Sequence, residues 1–344
     1  MKKILLSFIA LCCTLVVGAQ STDQISAILQ TDDGTPEGKT TVYYGQDALK
    51  SACNAAEDGS VITLSSGVFN SPGTIKKSIT IHGIGWEKYE DGVLPTTIGG
   101  LDFQTGDDET SLHNIVIEGV YVNSTINVRQ TDGMIVRKSR FNGFNVSGNN
   151  AKNIIVNQCY GDAVSCGNYD ITGLTFTNCY LTGRVTNVKV GSLVIFDHCI
   201  LTYSYSYNWN DYSHSRATYT NSIITHSGGT TDIITAGATA KYCVFVKDGL
   251  NANVLSENNW FSVDVNSIFS DGGTGVTYST ERTFALTEES QSEYVGSDNK
   301  PVGINDWVKI PAIPYVKNLD ATVEGTDLKV NYDAGVGSTN PPTD

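Results

Sequence analysis

Between residues 111 and 270, short runs of alternating apolar and polar positions return about every 20 residues. Small residues mark the period at Gly119, Ser139, Cys159, Cys179 and Cys199, then at slightly wider spacing at Ser222, Cys243 and Ser267. Three positions earlier stand Val116, Val136, Val156, Phe176, Phe196, Tyr219 and Ala240; five earlier stand Met134, Ile154, Leu174, Val194, Ala217 and Ala238. Two positions later stand Tyr121, Phe141, Leu181, Leu201, Ile224, Phe245 and Phe269. The slots between these columns mix Thr, Ile, Asn, Asp, Arg and Lys, and alternation of period 2 predicts strands rather than helices. Each repeat therefore holds a strand, a sharp bend just before the small residue, and a second strand. Asn178, Asn221 and Asn266 directly precede the small residue, and asparagine tolerates the left-handed backbone such a corner needs. A period this short excludes helical solenoids and predicts an all-β parallel β-helix. Its interior would be a set of apolar ladders, so any chemistry belongs to the outer faces and loops.

The flanks read differently. Residues 20–40 are polar with Gly and Pro and predict an exposed lead-in. Ala48, Leu49, Ala52, Cys53 and Ala56 share one helical face, stopped by Asp58-Gly59, which predicts a short helix capping the open N-terminal end of the solenoid. Gly83 and Gly119 lie 36 apart, so this stretch holds either one coil with an insertion or an additional irregular coil. The solenoid is expected over residues 41–305, with 283–304 as its closing turn. Residues 306–334 would be an extension with a small terminal hairpin over 322–332, and 335–344 a disordered tail.

Met1-Lys2-Lys3, the apolar run from 4 to 17, and Gly18-Ala19 read as a signal peptide over residues 1–19. Cys12 and Cys13 open a lipoprotein alternative, against which Leu11 is too large for the usual small residue. No later stretch has the roughly 18 apolar residues of a membrane span. The mature product would be exported to the periplasm, cell surface or medium. Losing Lys2 and Lys3 moves the formal net charge from −14 to −16, which argues against nucleic acid and anionic membranes as partners. Six cysteines remain after cleavage. Stacked coils place Cys159, Cys179 and Cys199 with parallel Cβ vectors about 4.8 Å apart, too far for bridging, so this ladder reads as reduced packing.

Asp58-Gly59-Ser60-Val61-Ile62-Thr63-Leu64, Gly67-Val68-Phe69 and the segment Lys77 to Gly83 resemble the opening of right-handed parallel β-helix proteins of the pectate-lyase-like superfamily. Phe284-Ala285-Leu286 and Val302-Gly303-Ile304 are similar to the closing coil of exported bacterial members. The resemblance implies a right-handed β-helix and polysaccharide as partner. It does not separate lyases from binding proteins. Val194-Ile195-Phe196-Asp197-His198-Cys199 is similar to the Trp-Ile-Asp-His motif of pectate lyases, but its residues are also explained by their columns. The Arg-x-Pro-x-x-Arg segment that carries the family's catalytic Arg has no counterpart.

Outward basic residues are Arg129, Arg137, Lys138, Arg140, Arg184 and Lys189, with Arg137 and Arg140 expected opposite Asn157 and Tyr160. Asp107, Asp108 and Glu109 are consecutive, unlike the alternating ligands of a calcium loop, and His82, His113, His214 and His226 stand alone. No metal or cofactor is expected. The most distinctive outer segment holds Tyr203, Tyr205, Tyr207 and Trp209 alternating with small polar residues, followed by Asp211 and Arg216. Facing outward, these six would form a sugar platform; facing inward, the rings would be core. Two functions remain open at this stage: an exported glycan-binding or adhesion scaffold, and a polysaccharide lyase.

Overall fold

Two 12-stranded sheets run along the molecule. The structure is a computed structural model describing residues 25–32, 34, 38–88, 94–105, 111–149, 151–203, 216–226, 234, 237–250, 253–273, 275–309, 314–324 and 327–336. In the first sheet, Val61–Leu64, Thr80–His82, Leu112–Glu118, Thr131–Arg137, Lys152–Asn157, Thr172–Thr177, Leu193–Asp197, Thr218–Thr220, Thr239–Lys241 and Leu255–Glu257 follow one another in parallel. The second sheet stacks, again in parallel, strands such as Tyr121–Val128, Arg140–Val146, Tyr160–Ser165, Tyr180–Leu181 and Ile200–Tyr203. Most coils give one strand to each sheet, which makes the chain a parallel β-helix.

The corner between the sheets explains the small-residue period. The residue before the small slot is left-handed coil after coil: Lys138, Gln158, Asn178, His198, Asn221 and Tyr242 have φ between 46° and 54°. The slot side chain then donates to the carbonyl two residues back, as Ser139 Oγ does to Arg137 at 2.8 Å, Cys179 Sγ to Thr177 at 3.2 Å and Ser222 Oγ to Thr220 at 2.7 Å. Serine and cysteine alternate there because both are small and both carry a donor. All six cysteines among the described residues are free thiols, and burial pushes those of Cys166 and Cys243 up to about 12. Inside, Phe176, Phe196 and Tyr219 stack at 4.8 and 5.3 Å, and the columns from Met134 and Val136 onward are buried. Gly161 has no side chain because a Cβ there would lie 2.4 Å from the Phe141 ring.

Register corrects the repeat at both ends. Val136 pairs with Ile117, not Val116, and Val120, not Gly119, is the slot opposite Ser139. Gly119 is the left-handed corner residue at φ 69°, so Tyr121 sits beside Arg140 on the outside rather than in the core. The last coil uses Asn258, at φ 51°, and Asn259 in place of the expected Asn266 and Ser267. The stretch between Gly83 and Gly119 is one coil with an insertion: it gives Thr96–Ile98 and Leu101–Phe103 to the second sheet and the single strand Leu112–Glu118 to the first.

The capping helix is present as α1 (Ala48–Ala55), with Ala48, Leu49 and Ala52 buried in the main core. The stretch expected as an exposed lead-in instead supplies Ser26–Thr31, with Ala27, Ile28 and Leu29 buried. It pairs antiparallel with Val61–Leu64 and with Lys39–Tyr44, closing the edge of the first sheet. At the other end, residues 283–304 are not a closing turn. Together with 262–282 and helix α2 (Glu288–Glu293), they form a strap that covers the outward residues Tyr180, Ile200, Ile223 and Val244 with Val263, Phe284, Val302 and Ile304. The strap runs back along the corners: Gly303 N donates to Asn221 O at 2.7 Å, and Asn305 N to Asn178 Oδ1 at 3.0 Å. Pro314–Glu324 and Asp327–Val336 form an antiparallel hairpin, longer than the one expected. No helix among the described residues is long and apolar enough to cross a membrane.

Candidate functional site

Because coils stack in register, each outward position becomes a ladder along the axis. Three ladders carry polar chemistry. The first follows the corner edge of the first sheet, His82–Glu118–Arg137–Asn157–Thr177–Asp197–Thr220–Lys241–Glu257. Neighbouring rungs complement each other: Arg137 Nη2 lies 2.9 Å from Glu118 Oε2, Thr220 Oγ1 donates to Asp197 Oδ1 at 2.7 Å, and Lys241 Nζ meets Glu257 at 2.6 Å. Burial alone would raise the Glu118 carboxyl, but His82 and Arg137 hold it down at about 2. A depressed carboxylate stabilises the fold above its ordinary range and loses that contribution as pH falls toward the folded value. Thermal melts should therefore show Glu118→Gln costing about 1–2 kcal/mol at pH 7, screening included, with the difference vanishing toward pH 2. An equal deficit at both pH values would contradict it. This edge is a zipper of ion pairs and reads as structure.

The second ladder, Asp102–Asn127–Asn145–Ser165–Thr186, lies on the outer face of the second sheet. All five are half-buried. Asn145 Nδ2 donates to Asn127 Oδ1 at 3.1 Å, while Thr74 Oγ1 and Gln104 Nε2 donate to Asp102 Oδ2 at 3.1 and 3.3 Å. Exposed Asn123, Asn142 and Asp162 extend the face, and Tyr121 OH donates to Asn142 Oδ1 at 3.2 Å. Amides and hydroxyls both donate and accept, so from Asn127 to Thr186 this face offers repeated, uncharged hydrogen-bond sites along the axis, with the carboxylates of Asp102 and Asp162 beside them.

The third ladder, Tyr121–Arg140–Tyr160–Tyr180, starts the same strands. The Arg140 guanidinium is held 4.7 Å from both the Tyr121 and Tyr160 ring centres. The insertion in the long coil brings Trp86 to 5.8 Å from Tyr160, and the strap brings Tyr278 to 4.8 Å from it. The end of the strap adds Trp307 and Lys309, with Lys309 Nζ 5.0 Å from the Tyr278 ring centre and 3.8 Å from Glu87 Oε2. Burial pushes the Glu87 carboxyl up to about 7, outweighing the pull of Lys309 and Arg140, and burial likewise lowers the Lys309 ammonium.

The basic residues noted in the sequence thus separate. Arg137 and Lys138 flank Glu118, Lys189 Nζ pairs with Asp170 at 2.8 Å, and Arg129 Nε donates to Ser147 O at 3.3 Å. Arg140 makes no ion pair among the described residues; its contacts are the two tyrosine rings. Arg137 and Arg140 do face Asn157 and Tyr160. Asp197 and His198 serve the fold: His198 is buried, and its ring nitrogens meet Gly303 O at 3.1 Å and Asp298 Oδ2 at 3.2 Å, holding the strap.

Of the predicted platform, Tyr203 ends strand Ile200–Tyr203, paired with His226, and Arg216 is exposed beside Gly237. Tyr205, Tyr207, Trp209 and Asp211 lie outside the described residues, as do Asp107, Asp108, Glu109 and His214. Among the described residues, no three His, Cys, Asp or Glu side chains converge as metal ligands would. Trp86, Glu87, Tyr278, Trp307 and Lys309 were not candidates in the sequence, because they fall outside the repeat. The one available signal was the 36-residue spacing that contains Trp86 and Glu87.

No protein-family model matches the chain, and no curated protein and no solved structure matches it.

Proposed function

We propose that the protein is an exported, non-catalytic β-helix scaffold that binds glycan at a cell surface, along the outer face of its second sheet. The observation that carries this reading is the ladder Asp102–Asn127–Asn145–Ser165–Thr186, whose rungs succeed one another at the spacing of paired strands, about 4.8 Å. An extended polymer with repeating hydroxyls is the partner that such a one-dimensional array of donors and acceptors suits. Tyr203 ends strand Ile200–Tyr203 of the same sheet; the proposal gives Tyr203, Tyr205, Tyr207 and Trp209 the role of stacking on sugar, and Asp211 and Arg216 that of bonding its hydroxyls. Export by the segment 1–19 and kinship with pectate-lyase-like proteins belong to the same proposal.

The test is retention of the purified protein on a panel of immobilised polysaccharides, with ultraviolet absorbance of unsaturated products read in parallel. At least one polysaccharide should retain the protein, and Asn145→Ala should weaken retention several-fold while moving stability by only about 0.5–1.5 kcal/mol. Retention by none, or retention indifferent to Asn145, defeats the proposal. Accumulation of unsaturated product would replace it with the lyase reading.

A further inference from the structure

The outer face of the first sheet carries a stripe quite unlike the polar ladder of the second. Its middle column runs from Thr80 through Val116, Ile135, Ile155, Thr175 and Ile195 to Leu255, one residue per coil. Every rung before Leu255 is β-branched, which suits a flat pleated surface and turns a continuous row of methyl groups outward. Ile135, Ile155 and Leu255 are 36%, 45% and 70% exposed. The strap, which covers the outward apolar residues of the second sheet, takes none of this stripe into its core. A contiguous apolar row on a strongly acidic chain marks an interaction surface.

We propose that this face pairs with the same face of a second copy of the chain, the two solenoids lying antiparallel about a two-fold axis that runs along the strands at Thr175. The charges beside the stripe select that partner and that register. The rotation lays the corner ladder, His82 to Glu257, on its own reverse. Glu118 then meets Lys241 of the second copy and His82 meets Glu257, each contact occurring twice by symmetry. Within the stripe, Ile155 meets Ile195 and Ile135 meets Thr218. Sliding the copies by one rung sets Glu118 against Glu257 in one direction and His82 against Lys241 in the other. Like charges directly opposed are destabilising, so the sequence favours a single register. Glu118 and Lys241 already pair within the chain, with Arg137 and Glu257, and the second copy extends those pairs into a network. At the spacing of paired strands the stripe is about 38 Å long. With its flanking ladders it offers an area on the order of the ~800 Å² that each partner gives to a stable interface.

The second sheet lines the same core from its other side, so pairing through the first sheet leaves the polar ladder of each copy open. If those ladders hold glycan as proposed above, the pair gains avidity on a polymer. The pairing itself does not rest on glycan binding.

The experiment measures the mass of the full chain by sedimentation equilibrium across roughly 1–100 μM, where a self-association should show as concentration dependence. A mass approaching twice that of one chain is expected. Ile155→Lys puts a charge at the centre of the contact and should weaken dimerisation roughly a hundredfold, with the fold intact because the site is exposed. Lys241→Glu combined with Glu257→Lys keeps the pair within the chain but reverses both contacts to the second copy, and should weaken it roughly tenfold. Orientation is read separately by a short bis-maleimide on a Cys53→Ser background, the remaining cysteines being buried. Thr175→Cys chains should be joined to one another, whereas Thr80→Cys chains, placed at opposite ends of the dimer, should not. This arm perturbs neither stripe nor charges, so it decides the matter if the lysine variant fails to fold. A chain that stays monomeric throughout, a dimer that survives Ile155→Lys, a dimer indifferent to the charge swap, or linkage at Thr80→Cys as ready as at Thr175→Cys overturns the proposal. Loss of glycan retention with the dimer intact would defeat the glycan reading alone.

Discussion

Cys179→Asp is expected to cost about 3–5 kcal/mol, enough to unfold much of a marginally stable domain. Cys179 is 0% exposed, and the neighbouring rungs above and below are Cys159 and Cys199, equally buried. The slot supplies two acceptors, the Thr177 and Val156 carbonyls at 3.2 and 3.4 Å, to a thiol that donates to them. A carboxylate donates nothing unless protonated, so it would sit uncompensated against a carbonyl oxygen in a dry ladder. Cys179→Ser is the control. Ser139 and Ser222 fill the same slot and make the same bond, so serine should cost only about 1 kcal/mol. Denaturant melts of the two variants decide the matter, and a mild Asp variant would show that the ladder is not dry. The same geometry requires Cys159, Cys179 and Cys199 to resist thiol reagents until the protein is denatured.

Arg282→Ala should release the strap while leaving the solenoid folded. Arg282 and Asp271 are a buried pair, 5% and 7% exposed at their side chains and 2.8 Å apart. Asp271 Oδ2 also accepts from Thr283 N at 3.1 Å and Phe284 N at 2.8 Å, and the guanidinium lies 4.6 Å from the Phe284 ring centre. Removing one partner strands a buried charge, a loss of about 3–5 kcal/mol. The main core includes no residue of the strap, so the loss falls on the strap and not on the solenoid. Protease should then cut within residues 262–309 while circular dichroism keeps its β signal. A resistant strap with a lowered global melting temperature would mean that strap and solenoid unfold as one unit.

The repeat was legible because a β-helix writes its geometry into the chain. Stacking like positions on like forces apolar residues into fixed columns, and a left-handed corner followed by a donor-bearing small slot recurs at 158–159, 178–179 and 198–199. That much is local and periodic, so pattern alone determined the solenoid, the capping helix and the reduced cysteines. Pattern misled where the period slipped by one residue, as between Gly119 and Val120, because an alternation of period 2 has no memory of which face it began on. What only the tertiary structure decided lies off the repeat. Phe284 and Ile304 look from sequence like another coil. Their true partners are outward residues such as Ile200 and Ile223, distant in the chain and matched by no periodic signal. The joining of Glu87 to Lys309 and of Trp86 to Tyr278 is of the same kind, since contacts across more than about 190 residues are set by how the strap folds back, not by any neighbour in sequence.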